Sequence, residues 1–202
     1  LSGEKILEVG SGAGRFTEIL INTGADVTSF DYSNAVDANY ANNFHQEKLN
    51  LFQGDILNLP LRKNTYDKLL CLGVLQHTPD PKISFQKIIK MVRPGGCVVI
   101  DIYKNNLLSY FQYKYLLRPI TKNLKQELLY QIIKKATPVL IPIAKLLRKL
   151  GGGVLARLVP IVEYSHLGLD KKINEDWAIL DTFDMYSPTY DNPKSLDEIY
   201  SW

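Results

Sequence analysis

The sequence predicts an α/β protein organised around a parallel, doubly wound β-sheet. Short apolar runs alternate with segments of helical periodicity through the first hundred residues. Three glycines at alternate positions follow the first apolar run, and a basic, helix-forming segment follows the fifth. Because strict alternation of strands and helices favours right-handed crossovers, we expect parallel strands with helices on both faces of the sheet.

The first strand and the turn after it form the central motif. Ile6, Leu7 and Val9 form an apolar run, too short for a helix and rich in strand formers. Gly10, Gly12 and Gly14 follow, and the apolar spacing then predicts a helix over residues 15 to 23. A strand, a glycine turn and a helix N-terminus together make a nucleotide cradle at the carboxyl edge of a parallel sheet.

The residues around these glycines distinguish two kinds of cofactor. A dinucleotide fingerprint reads G-x-G-x-x-G and leaves the helix N-terminus open to a pyrophosphate. Here the spacing is G-x-G-x-G, and Glu8 would repel a pyrophosphate but suit a cation or an amino group. The stretch resembles the E-x-G-x-G-x-G signature of class I S-adenosylmethionine-dependent methyltransferases, whose cofactor carries a sulfonium, an ammonium and no phosphate. The glycines alone are also compatible with a tight strand–helix turn that binds no ligand.

The second predicted strand, residues 26 to 31, ends in an acid. Asp31 lies 21 residues after Gly10, and a carboxylate about 20 residues past a glycine turn can accept hydrogen bonds from both ribose hydroxyls. The alternative is an Asx-turn or a helix cap, since Ser33 and Asn34 follow. With the glycine turn upstream, the ribose role is the favoured interpretation.

A polar helix over residues 33 to 47 and a third strand over 49 to 52 lead to Asp55. The resemblance implies that Asp55 accepts a hydrogen bond from the adenine amino group and that Ile56 packs on the ring. A turn role for Asp55 after Gly54 is the alternative, and taken alone it is the better interpretation.

Two further strands complete the predicted sheet, over residues 68 to 74 and 97 to 103. Between them, the apolar spacing predicts a helix over 81 to 92, which the Arg-Pro-Gly-Gly run at 93 to 96 breaks. Cys71 and Cys97 both lie in apolar runs. We therefore expect two buried free thiols, without a disulfide or a metal site.

Six ordered motifs extend the resemblance over residues 4 to about 103. They are the glycine signature, G-D-x-x-x-L-P, Y-D before an apolar strand, V-L-x-H, D-P and R-P-G-G. This set resembles the small-molecule branch of these methyltransferases, which includes enzymes of quinone biosynthesis. The resemblance implies a Rossmann-like sheet with strand order 3-2-1-4-5, the cofactor S-adenosyl-L-methionine and the product S-adenosyl-L-homocysteine. The cofactor-binding residues that it implies are Glu8, Gly10, Ser11, Gly12, Gly14, Asp31, Tyr32, Asp55, Ile56, Leu72, Gly73 and Val74.

His77 is the candidate catalytic residue. It follows the fourth strand, at the carboxyl edge where ligands bind in such folds, and an imidazole there can act as a general base. A histidine at this position also recurs in family members with different acceptors. Packing on the cofactor or capping a helix is therefore the alternative, and it is the favoured one.

Residues 104 to 158 form a basic insertion after the fifth strand. They hold eleven Lys or Arg and one acid, whereas the rest of the chain holds thirteen basic and twenty acidic residues, so the net charge of +3 conceals a strong asymmetry. Apolar spacing predicts helices over about 107–116, 124–133 and 139–150, the last interrupted by prolines and followed by a glycine hinge at 151 to 153. We expect the insertion to form a lid that shapes acceptor specificity.

Three explanations of this charge stay open. It can hold an anionic acceptor, it can dock residues 144 to 157 on an anionic membrane as a basic amphipathic helix, or it can form a solvated helix face. The solvated face is the commonest outcome of such runs. Nucleic acid is not expected as a partner, because no known binding motif occurs in the sequence.

The C-terminal segment is expected to return to the core. Ser195 and Glu198 predict a capping box at the start of a helix, and residues 186 to 188 are typical of a loop. The predicted segments are thus a cofactor-binding core at 1–103, a basic helical lid at 104–175 and a C-terminal segment at 176–202. The candidate acceptor-binding residues, with loop packing as the alternative, are His77, Tyr103, Asp184, Tyr186 and Tyr190.

Length and composition indicate the general class of protein. With 46% hydrophobic and 22% charged residues, a chain of 202 residues can form one sizeable globular core. The sequence contains no signal peptide and no apolar run of about 18 residues, so we expect a cytoplasmic chain without a membrane span. Leu1 at the start and Trp202 inside a predicted helix suggest a chain trimmed at both ends.

These observations predict a methyltransferase that acts on a small molecule by direct SN2 displacement. Proximity and alignment of the reacting atoms would supply most of the rate, and a base is needed only where the acceptor atom carries a proton. An NAD(P)-dependent oxidoreductase and a non-catalytic cofactor-binding protein of the same fold are the alternatives.

Overall fold

The computed structural model describes residues 1–105 and 113–202, and the chain divides into two compact units. The first unit comprises Leu1–Asn105 and Tyr190–Trp202, and the second comprises Asn106–Thr189. Residues 176–189, which the sequence assigned to the C-terminal segment, group with the second unit. The lid role of the insertion stays a prediction.

The first unit is built on a parallel sheet, in which every neighbouring pair of strands is parallel. The strand order is β3-β2-β1-β4-β5, so the predicted Rossmann-like order is confirmed. Because β1 lies between β2 and β4, the glycine turn after β1 sits at the middle of the carboxyl edge. The strands are β1 Lys5–Val9, β2 Asp26–Asp31, β3 Leu49–Gln53, β4 Tyr66–Cys71 and β5 Val92–Ile100.

Three helices connect these strands: α1 Arg15–Ile21, α2 Ala35–Asn43 and α3 Pro81–Ile88. The strand side chains alternate between two apolar clusters, with Leu7 and Val9 in one and Ile6 in the other. This alternation follows from the period of two along a strand, and β1 therefore buries side chains on both faces of the sheet.

The fifth strand differs from its prediction, because it begins at Val92. Tyr66 pairs with Val92 and Lys68 with Cys97, so residues 93–96 form an irregularity within the strand where a helix break was expected. Cys97 is exposed, and its prediction as a buried thiol is wrong, because β5 is the edge strand of the described sheet. Cys71 is buried as predicted, and burial raises its pKa to about 12.

The second unit is helical, with α4 Tyr113–Thr121, α5 Gln126–Ala156 and α6 Lys171–Tyr186. The predicted interruption at Pro138 and Pro142 is wrong, since both lie inside α5. Both prolines are exposed, so water can hydrogen-bond the carbonyls that they free. Residues 107–112 of the first predicted insertion helix lie outside the described residues.

Two local predictions concern the ends of helices. Gly151 and Gly152 have non-helical backbone angles and kink α5, as the glycine run predicted. Ser195 and Glu198 form the predicted capping box at the start of α7, Leu196–Tyr200. Tyr186 is the last residue of α6, so its placement in a loop was wrong.

Candidate functional site

The glycine turn is held against the end of β2 by backbone hydrogen bonds. The amides of Gly10 and Ser11 both donate to the carbonyl oxygen of Phe30, at 2.9 and 3.0 Å. The amide of Gly12 donates to Oδ2 of Asp31 at 2.7 Å. The turn and the acid that the sequence singled out separately therefore form one unit at the carboxyl edge.

Two of the three glycines are explained by close packing. A Cβ on Gly10 would collide with the side chain of Val74, which follows β4. A Cβ on Gly14 would collide with the amides of Asn39 and Asn43 on α2. These glycines allow the neighbouring elements to approach the turn.

Gly12 and Gly73 differ from these glycines, because no neighbouring atom that the structure describes limits the size of a side chain at either position. Both have positive φ, 52° and 72°, and a Cβ on either would meet no described atom within 4 Å. The backbone is thus open at two points of the same sheet edge, after β1 and after β4. Open glycine backbone at this edge fits the close approach of a nucleotide-like cofactor.

Asp31 makes the turn contacts that the sequence left open as the alternative to its ribose role. Its Oδ1 accepts hydrogen bonds from the amide and the hydroxyl of Ser33, at 2.8 and 2.6 Å, which is the Asx-turn alternative. Its Oδ2 accepts from Gly12. Since each carboxylate oxygen has two lone pairs, Asp31 retains acceptor capacity, and its ribose role stays a prediction.

Glu8 lies beneath the site, in a buried polar network. Its Oε2 accepts from the hydroxyls of Thr17 and Ser29, at 2.5 and 2.6 Å, and Asn39 donates to Thr17 at 2.9 Å. Burial raises the pKa of Glu8, although the two hydroxyl donors act in the opposite direction. The geometry makes Glu8 a link between β1, α1 and β2, and a direct contact with the cofactor stays a prediction.

The predicted adenine residues lie in a turn after β3. Oδ1 of Asp55 accepts from the amide of Leu57 at 2.9 Å, as its turn alternative requires. Ile56 is only 8% exposed and belongs to the core, whereas Tyr32 is 77% exposed. Their contacts with a ligand stay predictions.

The loop after β4 contacts an acid that the sequence analysis missed. The amide of Gly73 in this loop donates a hydrogen bond to Oδ1 of Asp101, the residue directly after β5. An acid at the carboxyl end of a strand is the signal that also singled out Asp31, and it could have identified Asp101. The partly exposed Leu72 and Val74 flank Gly73.

His77, Tyr103 and Tyr190 lie together in the first unit. The ring of His77 meets that of Tyr103 edge to face at 5.6 Å, and its Nδ1 lies 3.0 Å from the carbonyl oxygen of Tyr190. Because a carbonyl oxygen can only accept, Nδ1 carries the proton, and the lone pair of a neutral ring lies on Nε2. Asn192 anchors this segment through its side-chain amide, which donates to the carbonyl of Thr78 at 2.8 Å.

A second residue that the sequence analysis missed precedes His77. Gln76 is fully buried, and within the described part of the chain neither atom of its side-chain amide has a hydrogen-bond partner. Leaving such a group unpaired costs about 1–3 kcal/mol, which makes Gln76 a candidate for contact with a bound molecule. Nothing in the sequence pattern around it signals this burial.

The remaining candidate acceptor residues belong to the second unit. Asp184 is exposed on α6, whereas Tyr186 is buried and donates its hydroxyl to the carbonyl of Pro160 at 3.1 Å. Tyr186 also lines a cavity of about 210 Å³ together with Lys114 and Arg157. The acceptor roles of Asp184 and Tyr186 stay predictions.

A comparison with known proteins identifies the first half of the chain. The model of a family described as a methyltransferase domain matches residues 7–100, from β1 to the end of β5. Just under half of the chain therefore matches a methyltransferase family. S-adenosylmethionine is the cofactor that the sequence predicts, and the open backbone at Gly12 and Gly73 fits it.

Curated relatives of this methyltransferase domain include enzymes of ubiquinone biosynthesis. The ubiquinone biosynthesis O-methyltransferase of Coxiella burnetii is 31% identical over 112 residues, which cover 54% of this chain and 48% of the relative. The enzyme of the same name from Psychrobacter arcticus is 32% identical over 119 residues, covering 54% and 45%. The chain thus spans about half the length of the curated relatives that it matches.

Solved structures support the fold of the methyltransferase domain. A candidate methyltransferase from Bacillus halodurans superposes with a TM-score of 0.52 at 18% identity, covering 58% of this chain and 54% of that one. A chain from the complex of the Haloferax volcanii Trm112 methyltransferase activator with its candidate methyltransferase gives 0.51 at 20%, covering 57% and 52%. At these identities the likeness concerns the fold alone.

Proposed function

We propose that this protein transfers a methyl group to a small-molecule acceptor by direct SN2 displacement, as an enzyme of the EC 2.1.1 subclass. The observation that carries the proposal is the junction of the glycine turn with Asp31 beside open backbone at Gly12 and Gly73. When bound, S-adenosylmethionine supplies a methyl group made electrophilic by its sulfonium.

Different residues of the first unit would bind the cofactor and align the acceptor with its methyl group. Gly12 and Gly73 admit the cofactor, and Asp31 accepts hydrogen bonds from its ribose hydroxyls. Most of the rate would come from holding the acceptor atom in line with the methyl group. An acceptor atom that carries a proton also needs a base, and His77 presents the lone pair of Nε2 for this purpose.

Two observations narrow the acceptor class. The curated relatives are named O-methyltransferases, which favours an acceptor hydroxyl. The excess of Lys and Arg over acids in residues 104–158 favours an acceptor with a carboxylate or phosphate group. An acceptor panel should therefore begin with hydroxylated aromatic compounds, each tested with and without an anionic substituent.

Isothermal titration with S-adenosylhomocysteine tests the cofactor site, with NADH as the control. Binding of the first ligand alone is expected. Binding of NADH alone would favour the oxidoreductase alternative. Binding of S-adenosylhomocysteine without turnover across the whole panel would favour a non-catalytic protein of this fold.

A substitution tests the role of His77. His77→Ala should lower kcat by about 10²-fold if His77 is the base, while the affinity for S-adenosylhomocysteine stays close to that of the wild type. His45→Ala is the control, because His45 is an exposed histidine of the same unit. An unchanged kcat for His77→Ala would contradict the catalytic role.

A further inference from the structure

Helix α5 exposes an apolar band along most of its length. The band residues recur at intervals of three, four or seven, which keeps them on one side of the helix. Their exposed fractions lie between 46% and 71%. The apolar band consists of Leu128, Ile132, Val139, Ile143, Leu146 and Leu150.

A basic band runs beside the apolar band on the same exposed half of α5. It consists of Lys134, Lys135, Lys145 and Lys149, all exposed. None of the four forms an ion pair with a residue that the structure describes. Their charges are therefore available to a partner.

The opposite side of α5 forms the core of the second unit. Leu129, Ile133 and Ile141 on this side are each less than 9% exposed. Leu129 and Ile133 pack in a cluster with Ile179 of α6. The apolar band is thus additional to the apolar surface that α5 needs for folding.

Helix α6 provides an internal comparison. It exposes Ile173 and Leu180, at 46% and 56%, but its neighbouring exposed side chains include Asp176, Asp181 and Asp184. Exposed apolar residues therefore occur on both α5 and α6. On α5 they lie beside the four lysines of the basic band, whereas on α6 they lie among three aspartates and the only lysines are the two in its first turn. A partner that recognises α5 and not α6 must be apolar and anionic.

We propose that α5 docks the protein on the surface of an anionic lipid bilayer. The apolar band would enter the boundary between headgroups and acyl chains, and the basic band would contact the lipid phosphates. From Leu128 to Leu150 the helix is about 33 Å long, which allows extended contact along the surface. None of the described helices is long and apolar enough to cross a membrane, and the contact that we propose is a peripheral one.

A second copy of the chain is the competing occupant of this face. Two copies that joined their apolar bands would also bring their basic bands together, and like charges at close range oppose such an interface. An anionic bilayer offers an apolar interior to the apolar band and negatively charged phosphates to the basic band. The docking is independent of the proposed methyl transfer, because it depends only on α5.

Vesicle flotation of the whole chain tests the proposal. With equal parts phosphatidylglycerol and phosphatidylcholine at low salt, the protein should float with the vesicles, and high salt should reduce the bound fraction. Vesicles of phosphatidylcholine alone should bind much less. No binding to the anionic vesicles at low salt, or equal binding to both compositions, would overturn the proposal.

Two pairs of variants locate the contact. Val139→Glu with Leu146→Glu should abolish flotation, whereas Ile173→Glu with Leu180→Glu on α6, at the same spacing, should not. Lys145→Glu with Lys149→Glu should weaken vesicle binding by about 20-fold or more, from roughly a fivefold factor per lysine. Lys171→Glu with Lys172→Glu is its charge-matched control on α6.

Circular dichroism and light scattering complete the test. Each variant should keep the helical spectrum of the wild type, and the charge-reversal pair remains informative if the apolar pair does not fold. A wild-type dimer that Val139→Glu with Leu146→Glu converts to a monomer, without vesicle binding by the wild type, would assign the face to a second copy and overturn the proposal.

Discussion

Glu8 in the first unit and Glu163 in the second are both buried acids, at 3% and 7% exposed, and their pKa values move in opposite directions. Glu8 receives hydrogen bonds from two hydroxyls, which do not offset its desolvation, so its pKa is raised. Burial also acts to raise the pKa of Glu163. Hydrogen bonds from Ser165 and Arg148 outweigh it, so this pKa is lowered.

The two acids differ in the groups that stabilise their carboxylates. The sheet unit places hydroxyls and amides around Glu8, which links three elements without a cation among the described partners. The helical unit pairs Glu163 with the guanidinium of Arg148 on α5, whose Nε donates at 2.8 Å. The buried acid of the first unit is therefore held by uncharged donors, whereas the buried acid of the second unit is paired with a cation.

The largest expected effect concerns Gly12 in the first unit, where a cofactor would lie directly against the backbone. Gly12→Val should reduce the affinity for S-adenosylhomocysteine by about 10³-fold or more, because a side chain would fill the open space and the positive φ would be strained. Gly168→Val is the matched control in titration calorimetry, since Gly168 also has positive φ and open surroundings but lies in the second unit. Equal affinities for the two variants would remove Gly12 from the site.

The next effect tests charge pairing in the second unit. Arg148→Met should destabilise this unit by about 3 kcal/mol, because it leaves the buried carboxylate of Glu163 without its cation. Urea unfolding followed by Trp177 fluorescence in a Trp202→Phe background reports on this unit, since the chain has two tryptophans, one in each unit. Lys149→Met is the control at the exposed neighbouring position, and an equal loss in both would argue against the pair.

A smaller effect concerns the ribose role of Asp31. Asp31→Ala should weaken S-adenosylhomocysteine binding by about 10- to 100-fold, through loss of charge-assisted hydrogen bonds. Asp26→Ala provides the comparison at the other end of the same strand. If calorimetry gives wild-type affinity for Asp31→Ala, the acid serves only the turn that it forms with Gly12 and Ser33.

The smallest effect uses pH to compare the two glutamates. The raised pKa of Glu8 means that its contribution to stability is present below its unfolded pKa, near 4.5, and is lost as the pH rises. Glu8→Gln should therefore gain stability relative to the wild type between pH 4 and pH 8, by about 1 kcal/mol. Urea unfolding followed by Trp202 in a Trp177→Phe background measures it.

Glu163→Gln should show the reverse dependence on pH. The lowered pKa of Glu163 gives a contribution that is present above pH 4.5 and lost as the pH falls through the folded value. The cost of Glu163→Gln should thus be larger at pH 7 than at pH 3. If the free energy of unfolding changed with pH in the same direction for both variants, the opposite pKa shifts of Glu8 and Glu163 would be contradicted.

Local features of the fold were predictable because short-range chemistry determines them. The glycine turn, the strands within a few residues, the kink at Gly151 and Gly152 and the Ser195–Glu198 capping box all depend on residues close together in the chain. The continuity of α5 was not predictable. Whether Pro138 and Pro142 end a helix depends on the side to which the freed carbonyls point.

The candidate site was predictable in its residues and unpredictable in its contacts. Sequence spacing identified the glycine turn and Asp31 but not the hydrogen bond between Gly12 and Asp31. It identified His77 but not the carbonyl of Tyr190, which lies 113 residues away and orients the ring. Gln76 and Asp101 were missed because burial and loop partners leave no periodic pattern in the sequence.

The sequence by itself determined the alternation of strands and helices, the methyltransferase signature and the concentration of positive charge in one segment. Only the tertiary structure decided which polar groups share a buried network and which apolar residues of α5 stay exposed. The physical reason is that backbone preference and periodicity act over a few residues. Burial and hydrogen-bond partners depend instead on which distant elements pack together.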